Sequence, residues 1–199
     1  YRIDEKGGSF AGTEVEPIGG RRNLRYRVRA EPGDYFNRAE LLEDLQGVRT
    51  LYRDHGYAHV EAPPQTRLDP ERKEVDIAIP IVRGPLTYIE RIEIRGNSKT
   101  RDKVLRREME IEEGDLFNET ALEESRQRIT ALGFFERVDI SEEEGSAPDK
   151  IQINIEVTER PTGTFQVGAG FSSIGNFIAT AQVQQANLFG HGQSLGLQG

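Results

Sequence analysis

The stretch Lys150-Ile-Gln-Ile-Asn-Ile-Glu-Val-Thr-Glu-Arg-Pro161 decides the fold, because apolar side chains occupy every second position from Ile151 to Val157. Strict alternation is the pattern of a β-strand with one buried face. A similar stretch, Glu74-Val-Asp-Ile-Ala-Ile-Pro-Ile-Val-Arg-Gly-Pro85, lies 76 residues earlier. In the same way, Glu31-Pro-Gly-Asp-Tyr-Phe-Asn37 returns 81 residues later as Glu112-Glu-Gly-Asp-Leu-Phe-Asn118. Repeats at this spacing predict two tandem copies of one small module.

The second copy predicts the order βααββ. A strand ends at Gly96-Asn97, and Thr100 is the expected N-cap of a short helix. Asn118 is the expected N-cap of a longer helix that ends at Gly133. Two strands follow, the first containing Phe135, Val138 and Ile140. The fold class is therefore α+β, with a three-stranded sheet and two helices on one face of it.

The first copy follows the same plan from Glu31 onward. Asn37 is expected to cap a helix that stops at Gly56. Pro80 lies inside the predicted last strand and has no N–H to donate, so we expect the pairing there to be interrupted or to lie at a sheet edge. Residues 10–30 do not fit the repeat, because an alternation typical of a strand occurs there, at Leu24, Tyr26 and Val28.

Charge divides the chain of 199 residues after Arg160. Residues 1–86 carry 14 basic and 15 acidic side chains, residues 87–160 carry 12 and 19, and residues 161–199 carry none. We therefore expect modules at 1–86 and 87–160 and a different kind of segment at 161–199. The net charge of −8 argues against a nucleic-acid partner, and the lack of cysteine excludes disulfides and cysteine-ligated metals.

The charge-free segment predicts membrane-crossing β-strands. Apolar side chains alternate with small or polar ones over 165–172 and 177–184, and a turn follows at 187–192. Such runs have the length that a tilted strand needs to cross a bilayer. A soluble hairpin is the alternative, but it would need charges on its wet face. Because open strand edges are forbidden in lipid, and because the chain begins at Tyr1 and not at Met, we expect it to be a piece of a longer protein.

No pattern in the sequence indicates catalysis, a metal or a cofactor. The run Gly168-Ala-Gly-Phe-Ser-Ser173 resembles a glycine-rich nucleotide-binding fingerprint, but no helix pattern follows it. His55 and His59 are separated by the helix-breaking Gly56, so they are not expected to share a metal-binding helix face. The run Glu142-Glu-Glu144 is typical of a solvated turn. We therefore expect a protein that is not an enzyme.

A family resemblance rests on a set of short motifs: Ile94-Arg-Gly96-Asn97, Val104-Leu-Arg-Arg-Glu-Met109, Glu113-Gly-Asp115, Leu132-Gly-Phe-Phe-Glu-Arg-Val138, Val157-Thr-Glu159, Thr162-Gly163, Gly168-Ala-Gly-Phe-Ser-Ser173 and Gln185-Ala-Asn-Leu-Phe-Gly-His-Gly192. They resemble the BamA family of outer-membrane β-barrel assembly factors. The resemblance implies that 1–86 and 87–160 are the last two periplasmic POTRA domains. It also implies that 161–199 holds the first strands of the outer-membrane barrel.

The resemblance further implies partners and sites. The expected partners are nascent outer-membrane β-barrel proteins, accessory lipoproteins of the assembly complex, and the lipid bilayer. Glu113 falls where the family has an acid near its lipoprotein-docking face, whereas Glu93 replaces the family's basic residue in the first strand. The implied seam strand, at which a substrate strand pairs, consists of Thr164, Phe165, Gln166, Val167, Gly168, Ala169, Gly170, Phe171 and Ser172.

Three functional hypotheses follow. The first is an insertase that folds barrel proteins by strand pairing at the seam. The second is a transporter of the two-partner-secretion type. Further modules upstream of Tyr1 would favour the insertase over this transporter. The third is a periplasmic interaction module, which a soluble 161–199 segment would support. The modules are expected to bind extended chains through a strand edge, here Phe135, Glu136, Arg137, Val138, Asp139 and Ile140.

Overall fold

The first sheet contains three strands in the order β1-β3-β2. In the computed structural model, which describes residues 2–6, 18, 28–29, 35–171 and 177–198, these are β1 (Arg2–Lys6), β2 (Gln65–Asp69) and β3 (Glu74–Val82). β1 runs parallel to β3, and β2 runs antiparallel to it. The sequence did not predict β1. Helix α1 (Arg38–Arg53) contributes much of the buried core, which includes Leu41, Leu45, Val48, Leu51, Tyr52, Ile77, Ile79 and Ile81.

Pro80 lies in the central strand of this sheet, so the expectation of an edge position is wrong and that of interrupted pairing is confirmed. The β2 pairing stops at Gln65 opposite Ala78. The next contact on that side joins Glu61 and Val82, each donating its N–H to the other's carbonyl at 2.8 Å. The N–H of Val82 thus points to the β2 side, and alternate residues of a strand point the same way. The side of Pro80 that lacks an N–H therefore faces the gap between the Gln65–Ala78 pair and the Glu61–Val82 pair.

The ends of α1 follow the sequence. The Asn37 side chain accepts a hydrogen bond from the Ala39 N–H at 3.0 Å, as the cap prediction requires. Gly56 ends the turn that follows the helix. Its φ of +92° lies in the left-handed region, which favours glycine. The alternation at Leu24 and Tyr26 lies outside the described residues.

The second sheet has the order β4-β6-β5, which confirms the βααββ plan. Its elements are β4 (Tyr88–Arg95), α2 (Asp102–Arg106), α3 (Glu119–Ala131), β5 (Phe135–Glu144) and β6 (Lys150–Glu159). The Asn118 carboxamide caps α3 by accepting from the Ala121 N–H at 2.8 Å, and Gly133 follows the helix with φ +71°. The apolar side of β6 is fully buried, at Ile151, Ile153, Ile155 and Val157.

Thr100 is not the N-cap of α2, contrary to the prediction. Arg101 occupies that position and makes no side-chain capping bond. The Thr100 hydroxyl instead accepts a hydrogen bond from the Asn187 carboxamide, at 2.8 Å in a buried setting. A contact across 87 residues of sequence has therefore taken the side chain that local capping would have used.

The charge-free segment forms a third sheet, in the order β7-β8-β9. Its strands are β7 (Gly163–Phe171), β8 (Phe177–Gln185) and β9 (Leu195–Gln198), and a short 3₁₀ turn (Leu188–Gly190) connects the last two. Neighbouring strands are antiparallel. The predicted alternation and the predicted turn at 187–192 are both present.

The chain divides into two compact units. One comprises Tyr1–Arg91, Glu113–Ala121 and Glu144–Ile151, and the other comprises Ile92–Glu112, Leu122–Glu143 and Gln152–Gly199. Among the described residues, no helix is both long and apolar enough to cross a membrane.

Candidate strand-pairing site

β7 carries the predicted seam residues and lies at one end of the third sheet. It pairs with β8 over its whole length, from Gly163 opposite Gln185 to Phe171 opposite Phe177. Its other edge pairs with no strand in the part of the chain that the structure describes. The described seam residues are therefore brought together on one strand edge, while Ser172 lies outside the described residues.

The third sheet has one apolar and one polar face. Phe165, Val183 and Leu197 lie opposite one another across the three strands and are exposed. The alternate row on the other face is formed by Gln166, Gln182 and Gln198. Because an exposed apolar row of this kind is costly in water, this face suits an apolar environment.

Two glycines make β7 poor in side chains. A Cβ at Gly170 would have no heavy atom within 4 Å, whereas one at Gly168 would lie 2.7 Å from the Thr180 hydroxyl oxygen. Glycine within a strand packs weakly and permits close approach of another backbone. The strand with the open edge thus also has two interior positions without a side chain.

Glu159 fastens the end of β6 to the loop that precedes α2. Its carboxylate accepts from the Ser98 hydroxyl at 2.8 Å, from the Lys99 N–H at 2.9 Å and from the Thr100 N–H at 2.6 Å. Burial alone would raise the pKa of Glu159, but these hydrogen bonds outweigh it, and the pKa of Glu159 is lowered. The carboxylate therefore stays charged and bonded where the chain leaves the module for β7.

The turn after β8 is fastened to the same loop. Besides its bond to Thr100, Asn187 accepts from the Gly192 N–H at 2.8 Å, which closes the turn. The Arg101 N–H donates to the Gly190 carbonyl at 3.0 Å. A Cβ at Gly190 would lie 1.9 Å from the Lys99 carbonyl oxygen, so only glycine allows this approach. The sequence predicted the turn but gave no sign of its partner.

β5 carries the second predicted binding edge. It stands at the end of the order β4-β6-β5 and has a neighbour only in β6 among the described strands. Phe135 is buried, Glu136 and Arg137 are exposed, and the residues from Val138 to Ile140 are half-buried. The first residue of β5 is therefore anchored in the core, while the five residues after it are exposed or half-buried.

Glu113 lies exposed on a turn that β4 holds in place. The Gly114 N–H donates to the Ile89 carbonyl at 2.7 Å, and the Ile89 N–H donates to the Asp115 carbonyl at 2.9 Å. Glu93 forms an ion pair with Arg95, with an N–O distance of 3.1 Å. Glu113 is therefore presented on fixed backbone, while Glu93 is occupied within its own strand.

Sequence reasoning missed a polar joint between α1 and the start of α3. The Asp54 carboxylate accepts from both the N–H and the hydroxyl of Thr120 at 2.9 Å, and Arg53 pairs with Glu119 at 3.1 Å. The Thr87 N–H donates to the Gly56 carbonyl at 2.8 Å. No sequence pattern links positions this far apart, so only the tertiary structure shows the joint.

The described residues do not gather three or more histidine, aspartate or glutamate side chains in a way that could hold a metal ion. The His55 imidazole is engaged locally, with its Nδ1 at 2.7 Å from the Leu51 carbonyl oxygen.

Comparison with known proteins identifies relatives for most of the chain. The family model POTRA, described as a surface antigen variable number repeat, matches residues 18–84 and 87–160. The outer membrane protein assembly factor BamA of Neisseria meningitidis serogroup B is 34% identical over 169 residues, covering 84% of this chain and 21% of the relative. BamA of Nitratidesulfovibrio vulgaris is 32% identical over 164 residues, covering 82% and 21%.

A solved structure has the same architecture. Haemophilus ducreyi BamA lacking POTRA domains 1-3 matches with a TM-score of 0.79 and 26% identity, over 100% of this chain and 36% of that chain. The chain spans about a fifth of the length of the curated relatives that it matches. The two relatives named above are outer-membrane protein assembly factors, and the chain belongs to the POTRA family.

Proposed function

We propose that this chain is the membrane-proximal part of an outer-membrane protein assembly factor. In this proposal the two βααββ modules lie in the periplasm, and β7–β9 are the first strands of a barrel in the outer membrane. The open edge of β7, in a charge-free sheet that directly follows the second module, is the observation that carries the proposal. The names of the relatives favour assembly over the transporter alternative.

The proposed mechanism uses strand pairing and needs neither catalysis nor a cofactor. An incoming chain adds its own strand to the open edge of β7, so its backbone N–H and C=O groups are bonded before they meet lipid. Gly168 and Gly170 favour this step because glycine within a strand packs weakly and permits close approach of another backbone. The substrates in this proposal are nascent outer-membrane β-barrel proteins.

Single cysteines along β7 test the seam. In the full-length protein, cysteine at Phe165 or Val167 should form disulfide adducts with cysteines in the terminal strand of a barrel substrate during assembly. A cysteine at Val183 is the matched control, because β8 is covered there by both β7 and β9. We expect adducts at β7 positions at least about tenfold more often than at Val183, since only a free edge can pair. No adduct at β7, or equal yields at both, would refute the seam.

We further propose that β5 binds extended segments of substrate chains in the periplasm. An edge strand offers unpaired N–H and C=O groups to any polypeptide, whatever its sequence. Phe135 anchors the strand in the core while the residues beyond it remain accessible. Binding through backbone groups would suit a factor that handles many different barrel proteins.

Paired proline variants test the β5 edge. N–H groups of neighbouring residues point to opposite sides, so one of Val138→Pro and Asp139→Pro removes an outward donor and the other removes a bond to β6. We expect one variant to keep the fold and bind an unfolded barrel peptide several-fold more weakly, and the other to unfold the module. Circular dichroism and fluorescence anisotropy measure the two effects. Unfolding by both variants, or full binding by the folded one, would contradict the proposal.

The remaining partners in this proposal are accessory lipoproteins and the bilayer. Glu113 is the proposed lipoprotein contact because its turn presents the carboxylate on fixed backbone, and copurification of lipoproteins with Glu113→Lys examines it. The strands β7 and β8 are nine residues each, within the range of about 9–11 residues that a tilted strand needs to cross a bilayer core. Their apolar face would meet the acyl chains.

A further inference from the structure

The loop and helix before residue 108 concentrate positive charge in an otherwise acidic chain. Residues 98–107 contain five cationic side chains and one carboxylate, while the whole chain has a net charge of −8. Arg106 pairs with Asp102 and Arg107 with Glu108, each at 3.0 Å. Lys99, Arg101 and Lys103 are exposed and have no ion pair within the described part of the chain.

The carboxylate of Glu159, beside this cluster, is already occupied. The Glu159 carboxylate receives the Ser98 hydroxyl and the backbone N–H groups of Lys99 and Thr100, so its hydrogen-bonding capacity is directed at the loop backbone. The side chains of Lys99, Arg101 and Lys103 are left to face solvent. These three side chains form the basic cluster.

The basic cluster lies beside the turn at one end of the third sheet. The Gly190 carbonyl accepts from the Arg101 N–H, and Gly192 lies against the Arg107 guanidinium. The turn that contains these glycines joins the end of β8 to the start of β9, and β7 begins at the same end, since Gly163 lies opposite Gln185. Lys99, Arg101 and Lys103 therefore lie near the end of the sheet at which its exposed apolar face stops.

The field of the cluster reaches this end of the sheet. The pKa of His191, which lies in the turn, is lowered by partial burial and by the positive charges of Arg101 and Lys103. Residues 161–199 contribute no charged side chain to this end. A negatively charged group at this level would thus find cations and no competing carboxylate from the sheet.

We propose that Lys99, Arg101 and Lys103 bind the anionic phosphodiester headgroups of phospholipids at the periplasmic surface of the outer membrane. The inference rests on the proposed function, in which β7–β9 lie in the bilayer, because that placement sets the cluster at headgroup depth. Cations beside a membrane-crossing segment attract anionic lipids over roughly a Debye length. The bound headgroups would hold the second module against the membrane beside the seam strand.

Native mass spectrometry of the full-length protein tests this proposal. The protein is released from nanodiscs that contain equal amounts of phosphatidylglycerol and phosphatidylcholine, and the lipids retained on it are counted. Wild type should retain phosphatidylglycerol in preference. Arg101→Gln/Lys103→Gln and Lys99→Gln/Lys103→Gln each remove two cations and should reduce that preference by about 25-fold, since each cation near a membrane surface contributes about a fivefold change in affinity.

The control removes the same charge elsewhere. Arg67→Gln/Lys73→Gln changes two exposed cations of the β2–β3 hairpin and should leave the lipid preference unchanged. Equal retention of phosphatidylglycerol by wild type and both cluster variants, or an equal loss in the control, would overturn the headgroup site. Insertion into the nanodiscs is checked first by protease protection. Failure of wild type to insert would overturn the proposed function itself, and the headgroup site with it.

Discussion

Replacing Gly96 by alanine should destabilise the second module by about 4 kcal/mol, the size expected for a severe clash combined with backbone strain. Gly96 has φ +87°, and a Cβ there would lie 1.9 Å from the Val157 carbonyl oxygen. The end of β4 would have to move away from β6, the strand that carries the buried isoleucines. Hydrogen exchange of β6 amides in the chain, held in detergent micelles, measures the loss as faster opening.

Gly114→Ala is the matched control for this clash. Gly114 has a similar φ of +99°, but a Cβ there would have no heavy atom within 4 Å. It should therefore cost only the conformational strain of a non-glycine residue, about 1 kcal/mol. Equal acceleration of β6 exchange in the two variants would show that the contact between Gly96 and Val157 is unimportant.

Glu159→Gln should destabilise the joint between β6 and the 98–100 loop by about 2–3 kcal/mol, the range for charge-assisted bonds to donors that are then left unsatisfied. The glutamine amide has one acceptor oxygen in place of two. Its NH₂ group would face backbone N–H donors, with which it cannot form hydrogen bonds. Exchange of the Thr100 amide, which donates to the carboxylate at 2.6 Å, should accelerate accordingly. Glu156→Gln, an exposed change on the same strand, should leave it unaffected.

The same carboxylate predicts a pH dependence. The pKa of Glu159 is lowered in the folded chain, so its contribution is complete above the ordinary glutamate value of 4.5 and is lost as the pH falls through the lower folded value. Arg126 lowers the pKa of the exposed Glu123 to about 2, which acts in the same direction. Glu159→Gln should therefore reduce, without abolishing, the acid sensitivity of the module. An unchanged acid profile would contradict the role of Glu159.

The sequence by itself determined the elements whose signal is local. Asn37 and Asn118 cap their helices and Gly133 ends one, because capping depends on neighbouring backbone. The alternation from Ile151 to Val157 predicted a strand with a buried face, which is observed. The alternation over 165–172 and 177–184 likewise predicted strands, and β7 and β8 are observed there.

Only the tertiary structure decided the features that join distant residues. β1 has a mostly polar sequence, so its parallel pairing with β3 defines it as a strand. The sequence predicted Thr100 as a helix cap, but its hydroxyl accepts a hydrogen bond from the Asn187 carboxamide. No sequence pattern indicated the role of Glu159, whose carboxylate accepts hydrogen bonds from three consecutive residues of a distant loop. Each of these contacts spans between 59 and 87 residues of sequence. Forming them costs the entropy of closing long loops, so they exist only because the rest of the folded chain brings their partners together, which no local pattern encodes.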